Sequence, residues 1–323
     1  MMINFEEKWG EVNISSRKNI RIRISAEHKL DLFIGYSENG NRYFEFGSES
    51  SVINQEELPI FENITLLICV SNGICNLRIT LEDNSLKDLF TIIISDLVNA
   101  SLEANTIEGA AKIFINRLFR WAELLEERHR RGLTFSEQLG LYGELFYLER
   151  LISQKKIHIG TLINSWRGPE GDCRDIDLEN TSIEIKTALT TAKNVLKISS
   201  LDQLDNDDKA LVIARIQLSA SDEGLAFSKL IGNIKSHIDS SYLVFLEFMR
   251  KLYLSGYDPN GEYVSNSYLM SSLKFYEVRE NFPRLIPGNV NPAIRSAKYE
   301  IECNMLAEYE IQESSLENTI YGQ

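Results

Sequence analysis

Over the first third of the chain, apolar and polar positions alternate with the period of half-buried strands. Ile20-Arg21-Ile22-Arg23-Ile24 is the clearest run. Ile64 to Val70 and Ile74 to Ile79 flank Asn72-Gly73, a pair suited to the positive φ of a tight hairpin turn. From about Ser85 the spacing changes to three and four, through Leu86, Leu89, Phe90, Ile93, Ile94 and Leu97, which predicts a helix. A longer helix is expected from Glu108 through Arg131, and another, begun at Ser136, over Leu139 to Ile152.

The stretch from Lys155 to Pro169 carries Ile157, Ile159, Leu162 and Trp166 and ends at Gly168-Pro169, which reads as a strand and a turn. Short strands are expected between Asp172 and Ser200, then a short helix from Ser200. Ala210 to Ile216 is nearly continuous in apolar character, as in a central strand covered on both faces. Residues 223 to 255 read as helical, and a last strand is expected at Tyr299 to Cys303. The whole predicts a mixed α/β chain in three regions: a β-rich module over 1–105, an α/β core over 106–250 and an α/β extension over 251–323.

Composition narrows the class. A chain of 323 residues, 43% hydrophobic and 25% charged, has the balance of a soluble globular protein with a sizeable core. No apolar run approaches the roughly 20 residues that span a bilayer, and the N-terminus lacks a basic region followed by an apolar one, so a cytoplasmic protein without membrane contact is expected. Cys69, Cys75, Cys173 and Cys303 have no paired spacing, which argues against a zinc site and for buried reduced thiols. The net charge of -13 excludes a protein that coats nucleic acid non-specifically, yet leaves room for an acidic catalytic site that a cation fills.

One stretch carries chemistry. Arg174-Asp175-Ile176-Asp177 precedes Ser182-Ile183-Glu184-Ile185-Lys186-Thr187. With Ile183 and Ile185 facing a core, the two-residue period puts Glu184 and Lys186 on the opposite face, and Glu179-Asn180-Thr181 turns the chain so that Asp175 stands beside Glu184. Hydrolysis of a phosphodiester calls for a hard divalent ion held by carboxylate oxygens, with a cation to orient water or offset charge on the phosphate. Asp175 and Glu184 are therefore candidate ligands of Mg²⁺, with Mn²⁺ as substitute, the Ile185 carbonyl is a third, and Lys186 is the water or phosphate group. Asp177 shares the face of Asp175 and is the competing carboxylate. Glu-x-Lys also occurs at Glu6 to Lys8 and Glu27 to Lys29, but only the third copy lies in an apolar-flanked strand behind an upstream acid.

Other polar groups have two readings each. Glu144 either completes the site or is an acid near a helix start; Gln203 either meets a phosphate or base or belongs to a helix cap. Arg128, Arg130 and Arg131 form either a DNA-contacting patch or a solvated helix end.

The order Gly143-Glu144-Leu145, Trp166-Arg167-Gly168-Pro169, Arg174-Asp175-Ile176, Ile183-Glu184-Ile185-Lys186-Thr187 and Ser200-Leu201-Asp202-Gln203-Leu204, with Phe282-Pro283-Arg284 and Tyr299 later, resembles the PD-(D/E)XK motif protein family of prokaryotes. The resemblance covers most of the chain. It implies a restriction-endonuclease-like core, a central mixed sheet flanked by helices, and an Mg²⁺-dependent endonuclease acting on DNA within a restriction-modification or phage-defence system. It also places the family's motif acid on Asp175, its Glu-x-Lys on Glu184 and Lys186, and its helix glutamate on Glu144. Other proteins of such a system are implied partners, and cutting two strands would suit a homodimer. The alternative is a non-catalytic binding or assembly subunit that keeps the fold; RNA is a third reading of the same chemistry.

Overall fold

Alternation in the N-terminal third builds an antiparallel sheet. A computed structural model describes the chain apart from residues 1–2, 15–20, 49–57, 72–73, 206–208, 239–240 and 322–323, and apart from some further side chains, among them those of 126–131. It separates into two units, 1–132 and 133–323.

The first unit runs α1 (Phe5–Ile14), β1 (Arg21–Arg23), β2 (Asp31–Tyr36), β3 (Arg42–Ser48), β4 (Ile64–Ser71), β5 (Ile74–Leu81), α2 (Lys87–Leu102) and α3 (Ile107–Arg131). Its sheet has the order β1-β2-β3-β5-β4. Leu32, Phe46 and Leu77 fall in one cross-strand row and Ile34, Phe44 and Ile79 in the next. All six are buried, and Phe114 of α3 stacks on Phe44 at a centroid distance of 5.6 Å and meets Phe46 at a tilt at 4.8 Å. The Asn72-Gly73 turn lies outside the described residues, although Ser71 and Ile74 on either side of it are paired.

The second unit runs α4 (Phe135–Ser153), α5 (Ile159–Ser165), β6 (Ile176–Asp177), β7 (Thr181–Leu189), β8 (Val195–Ile198), β9 (Ala210–Ala226), α6 (Phe227–Ile238), α7 (Tyr242–Leu254), β10 (Ser267–Glu277), β11 (Tyr299–Glu302), β12 (Glu310–Ile311) and α8 (Glu313–Tyr321). Its main sheet has the order β12-β10-β9-β7-β6. The apolar run expected to be central is β9, parallel to β7 on one side and antiparallel to β10 on the other. One face packs on α4: Tyr147 meets Phe275, and a Cβ at Gly143 would lie 1.8 Å from Thr187 Oγ1, so only glycine lets the helix sit this close to β7. The other face carries Ile213 and Tyr276 into a cluster with Leu196, Ile198 and Ile301 of the small β8–β11 sheet.

Two expectations change. Within 155–169 the expected strand is the helix α5, because Ile159, Leu162, Ile163 and Trp166 follow helical spacing and His158 caps the start by accepting from Gly160 N at 3.2 Å, while Gly168-Pro169 does form a turn. Thr134, ahead of Ser136, is the cap of α4, closing a reciprocal capping box with Glu137. The helix α3 packs with α2 and β3 of the first unit; position 250 falls inside α7; and β10, read as extension, pairs along β9 in the core sheet. Of the four cysteines, Cys75 and Cys303 are buried, whereas Cys69 and Cys173 are exposed.

Candidate active site

The hairpin register makes the site. Ile176 pairs with Ile183 and Asp177 with Ser182, so one step further Asp175 comes opposite Glu184. Ile185 N donates to Asp175 Oδ2 at 2.6 Å. Because N–H and C=O of one strand residue point to the same side, the Ile185 carbonyl faces the same edge as Asp175. Lys186 Nζ lies 2.7 Å from Glu184 Oε1, and Gln203 Nε2 donates to that same oxygen at 2.8 Å. Glu184 is only 3% exposed, since both faces of β7 are covered here.

Glu144 arrives from α4. Its Oε2 accepts from Trp166 Nε1 at 2.9 Å, while Trp166 itself bridges to Ile176 at the β6 edge. A Cβ at Gly168 would stand 2.7 Å from Glu144 Oε2 and 3.1 Å from Asp175 Oδ1, so a larger residue in this turn would push the Glu144 carboxyl aside. The structure thus brings Asp175, Glu184, Lys186, Glu144 and Gln203 together. Asp177 is directed elsewhere: it accepts from Ser182 Oγ at 2.7 Å and pairs with Lys209 at 2.9 Å. The side chains of Arg128, Arg130 and Arg131 lie outside the described residues.

Electrostatics mark the cluster. Burial first, then the charges of Glu184 and Glu144, push the Asp175 carboxyl well above the usual range. Burial raises Glu144 to about 7 despite the Trp166 hydrogen bond, and Glu184 is also raised by burial, with Lys186 offsetting part of it. Asp177, by contrast, is lowered: burial pushes it up, but its Ser182 and Lys209 bonds outweigh that. Three buried carboxyls, offset by Lys186 and, at Glu184, by Arg174, are a place where a cation would relieve the repulsion felt by Asp175 and Glu144.

The donor chemistry fits a hard divalent ion. Among the described residues no three His, Cys, Asp or Glu groups converge as a metal cage. The set that fits is therefore Asp175, Glu184 and the Ile185 carbonyl, an incomplete oxygen shell of the kind Mg²⁺ accepts because it retains several waters.

Three supporting residues had no role assigned from the sequence. Arg174 donates to the carbonyls of Cys173, Asp202, Gln203 and Asp205, which pins the turn that presents Gln203. Lys251 of α7 is 1% exposed and donates to Trp166 O at 2.5 Å and Asn164 O at 3.0 Å, fixing the end of α5 from which Trp166 reaches Glu144. A lysine among the buried apolar positions Phe248, Met249 and Leu252 was the available clue. Trp166 stood in a quoted motif but had no assigned partner.

A family model described as "Putative PD-(D/E)XK family member, (DUF4420)" matches residues 5–304. No curated protein and no solved structure matches the chain. The mixed sheet with helices on its face agrees with the restriction-endonuclease-like architecture that this family description carries.

Proposed function

Because the chain belongs to the DUF4420 family of PD-(D/E)XK proteins, we propose that it is a divalent-metal-dependent endonuclease that hydrolyses phosphodiester bonds of DNA. The observation that carries the reading is the convergence of Asp175, Glu184, Glu144 and Lys186 at the β6–β7 hairpin. Asp175, Glu184 and the Ile185 carbonyl would hold the ion. When bound, Mg²⁺ supplies Lewis acidity toward the phosphate and lowers the pKa of a nearby water.

The remaining work belongs to the chain's own groups. Lys186 Nζ, 2.7 Å from Glu184 Oε1, is placed to orient the attacking water or to stabilise charge on the phosphate oxygens. Gln203 holds Glu184 from the opposite side, with its own Oε1 accepting from Ser199 N at 2.8 Å, so the carboxylate is fixed before substrate arrives. Glu144, near neutrality at about 7, is suited to exchange a proton with the hydrolytic water or to hold Lys186 once ionised. As part of the same proposal, the activity would serve a prokaryotic restriction or phage-defence system and act in the cytoplasm.

Purified protein incubated with plasmid and linear DNA in Mg²⁺, Mn²⁺ or EDTA tests the reading. Metal-dependent cutting, reduced at least about a hundredfold in Glu184→Ala and Lys186→Ala, is the expected outcome. Equal cutting by wild type and both variants would remove the assignment, and preference for an RNA substrate would replace DNA. The net charge of -13 favours a second reading, a non-catalytic subunit that keeps the fold and binds other proteins. Its signature is no cutting under any metal and no stabilisation by one.

A further inference from the structure

Phe282-Pro283-Arg284 lies far along the chain from the β6–β7 hairpin, yet its arginine reaches the turn that carries Gln203. Arg284 Nη1 donates to Leu204 O at 2.6 Å, across 80 residues of sequence. Arg174 Nη1 donates to Asp202 O at 3.1 Å and Gln203 O at 2.8 Å, and its Nη2 donates to Asp205 O. Four successive carbonyls, 202 to 205, are thus each held by a guanidinium. The last carbonyls of a helical turn have no partner within it, and bonds from a charged donor are the stronger kind.

Arg284 is delivered on a fixed backbone. Phe282 is buried in the same cluster as Leu204 and meets Tyr309 edge-on at 5.0 Å. Arg284 O accepts from Asn289 Nδ2 at 2.9 Å, and Leu285 N donates to Tyr299 Oη at 3.0 Å. On the site side of the turn, Gln203 Oε1 accepts from Ser199 N and its Nε2 donates to Glu184 Oε1, both at 2.8 Å. The glutamine side chain spans two fixed points, so a shift of the turn is passed on to Glu184.

We propose that Arg284 is a positioning residue for the divalent-metal site: with Arg174 it locks the 202–205 turn, and through Gln203 it fixes the Glu184 carboxylate toward the ion. The ion rests on the nuclease reading; the clamp itself does not. Arg284 is the cleaner of the two arginines to test. Arg174 is next to Asp175 in sequence and its charge acts on Glu184 directly, whereas Arg284 reaches the site by way of the turn.

Full-length wild type, Arg284→Met, Gln203→Met and the double variant are titrated with Mn²⁺ and compared as a cycle. Each single variant should bind Mn²⁺ about tenfold more weakly, the usual cost of losing a group that orients a metal ligand. The double variant should bind no more weakly than Gln203→Met, because Arg284 acts through that side chain. In EDTA, amide exchange at Ser199 should quicken about five- to tenfold in Arg284→Met, the net worth of one hydrogen bond, while exchange in β9 stays as in wild type. Arg284→Lys, which keeps a charged donor on a shorter reach, should show smaller losses of the same kind, and carries the test if Arg284→Met does not fold. Unchanged Mn²⁺ affinity in the Arg284 variants overturns the proposal. So do losses that add in the double variant, or a lower melting temperature with Mn²⁺ affinity and Ser199 exchange as in wild type: either marks an arginine that only stabilises the fold. Arg284-dependent Mn²⁺ binding without cutting of DNA would defeat the nuclease reading alone. A wild type that cuts, with Mn²⁺ affinity independent of Arg284, would defeat this one alone; a wild type that binds no Mn²⁺ defeats both.

Discussion

Each unit holds carboxylates in fixed partnerships, and the two treat them differently. In the first, Glu45 has a side chain 5% exposed, clasped by Arg21 at 2.5 Å and Arg78 at 2.7 Å. Glu6 takes both oxygens to Arg42, at 2.6 and 2.8 Å. In the second, the Glu184 charge raises both Asp175 and Glu144, and the three carboxyls share Lys186, with Arg174 acting on Glu184 alone. A structural carboxylate is matched by charge at least equal to its own, while the cluster at the β6–β7 hairpin is left short. Incomplete compensation, more than burial, separates this cluster from an ion pair that holds a fold.

The sharpest way to break this contrast is to neutralise each side. Arg21→Met with Arg78→Met leaves Glu45 enclosed without a partner, and should cost about 3 to 5 kcal/mol, read from denaturant unfolding. Arg21 and Arg78 are themselves well exposed, so little of that loss comes from their own burial. Glu184→Gln in metal-free protein should do the reverse and leave stability unchanged or higher, because it removes repulsion. A loss in both cases of similar size would make the two clusters equivalent.

Metal addition sharpens the same point. Mg²⁺ or Mn²⁺ at about a hundred times its Kd should stabilise the wild type by about 2.7 kcal/mol, seen as a rise in melting temperature. Asp175→Ala should abolish the rise, whereas Asp177→Ala should retain it, given that Asp177 is occupied by Ser182 and Lys209. An equal loss in both would return Asp177 to the ligand set.

Much of this was legible before any coordinates, for reasons that vary by residue. Strand period placed Glu184 and Lys186 on one face and set β9 at the centre of its sheet, because period-two patterns and fully apolar runs report burial directly. The two-residue period, however, could not separate Asp175 from Asp177, since both point the same way; the hairpin register, which sets Asp175 opposite Glu184 and Asp177 opposite Ser182, and the Lys209 partner of Asp177 distinguish them. The α5 helix was missed because a short apolar run before Gly-Pro satisfies either period. Contacts that join distant segments, Lys251 to the Trp166 carbonyl or Arg174 to the turn of Gln203, leave no local pattern at all. Nor did the pairing of β10 with β9 across a two-helix insertion, which moved the extension into the core sheet.

The metal-free cluster should also respond to pH. Glu144 is raised from an ordinary 4.5 to about 7, so across that window the folded protein holds protons that the unfolded chain has released. Stability should therefore fall as pH rises through the window. Glu144→Gln should flatten the decline by up to about 1.4 kcal/mol per pH unit, measured by unfolding in EDTA at successive pH values. Parallel slopes in wild type and variant would mean that Glu144 is charged throughout and that the repulsion is relieved without a cation.

The smallest effect is the mirror image in the first unit. Burial pushes the Glu6 carboxyl up, but hydrogen bonds from Arg42 and Thr91 outweigh it and hold the group below its ordinary 4.5. A lowered pKa means stability that is complete above the unfolded value and lost as pH falls toward the folded one, the opposite direction to Glu144. The Glu6 side chain is 42% exposed, so solvent screening limits the contribution to less than about 1 kcal/mol. Glu6→Gln should thus shift the acid limb of unfolding slightly while leaving the alkaline limb as in wild type, and Glu144→Gln should do the converse. If Glu6→Gln instead moved the alkaline limb, the division into compensated and uncompensated carboxylates would fail at its simplest member.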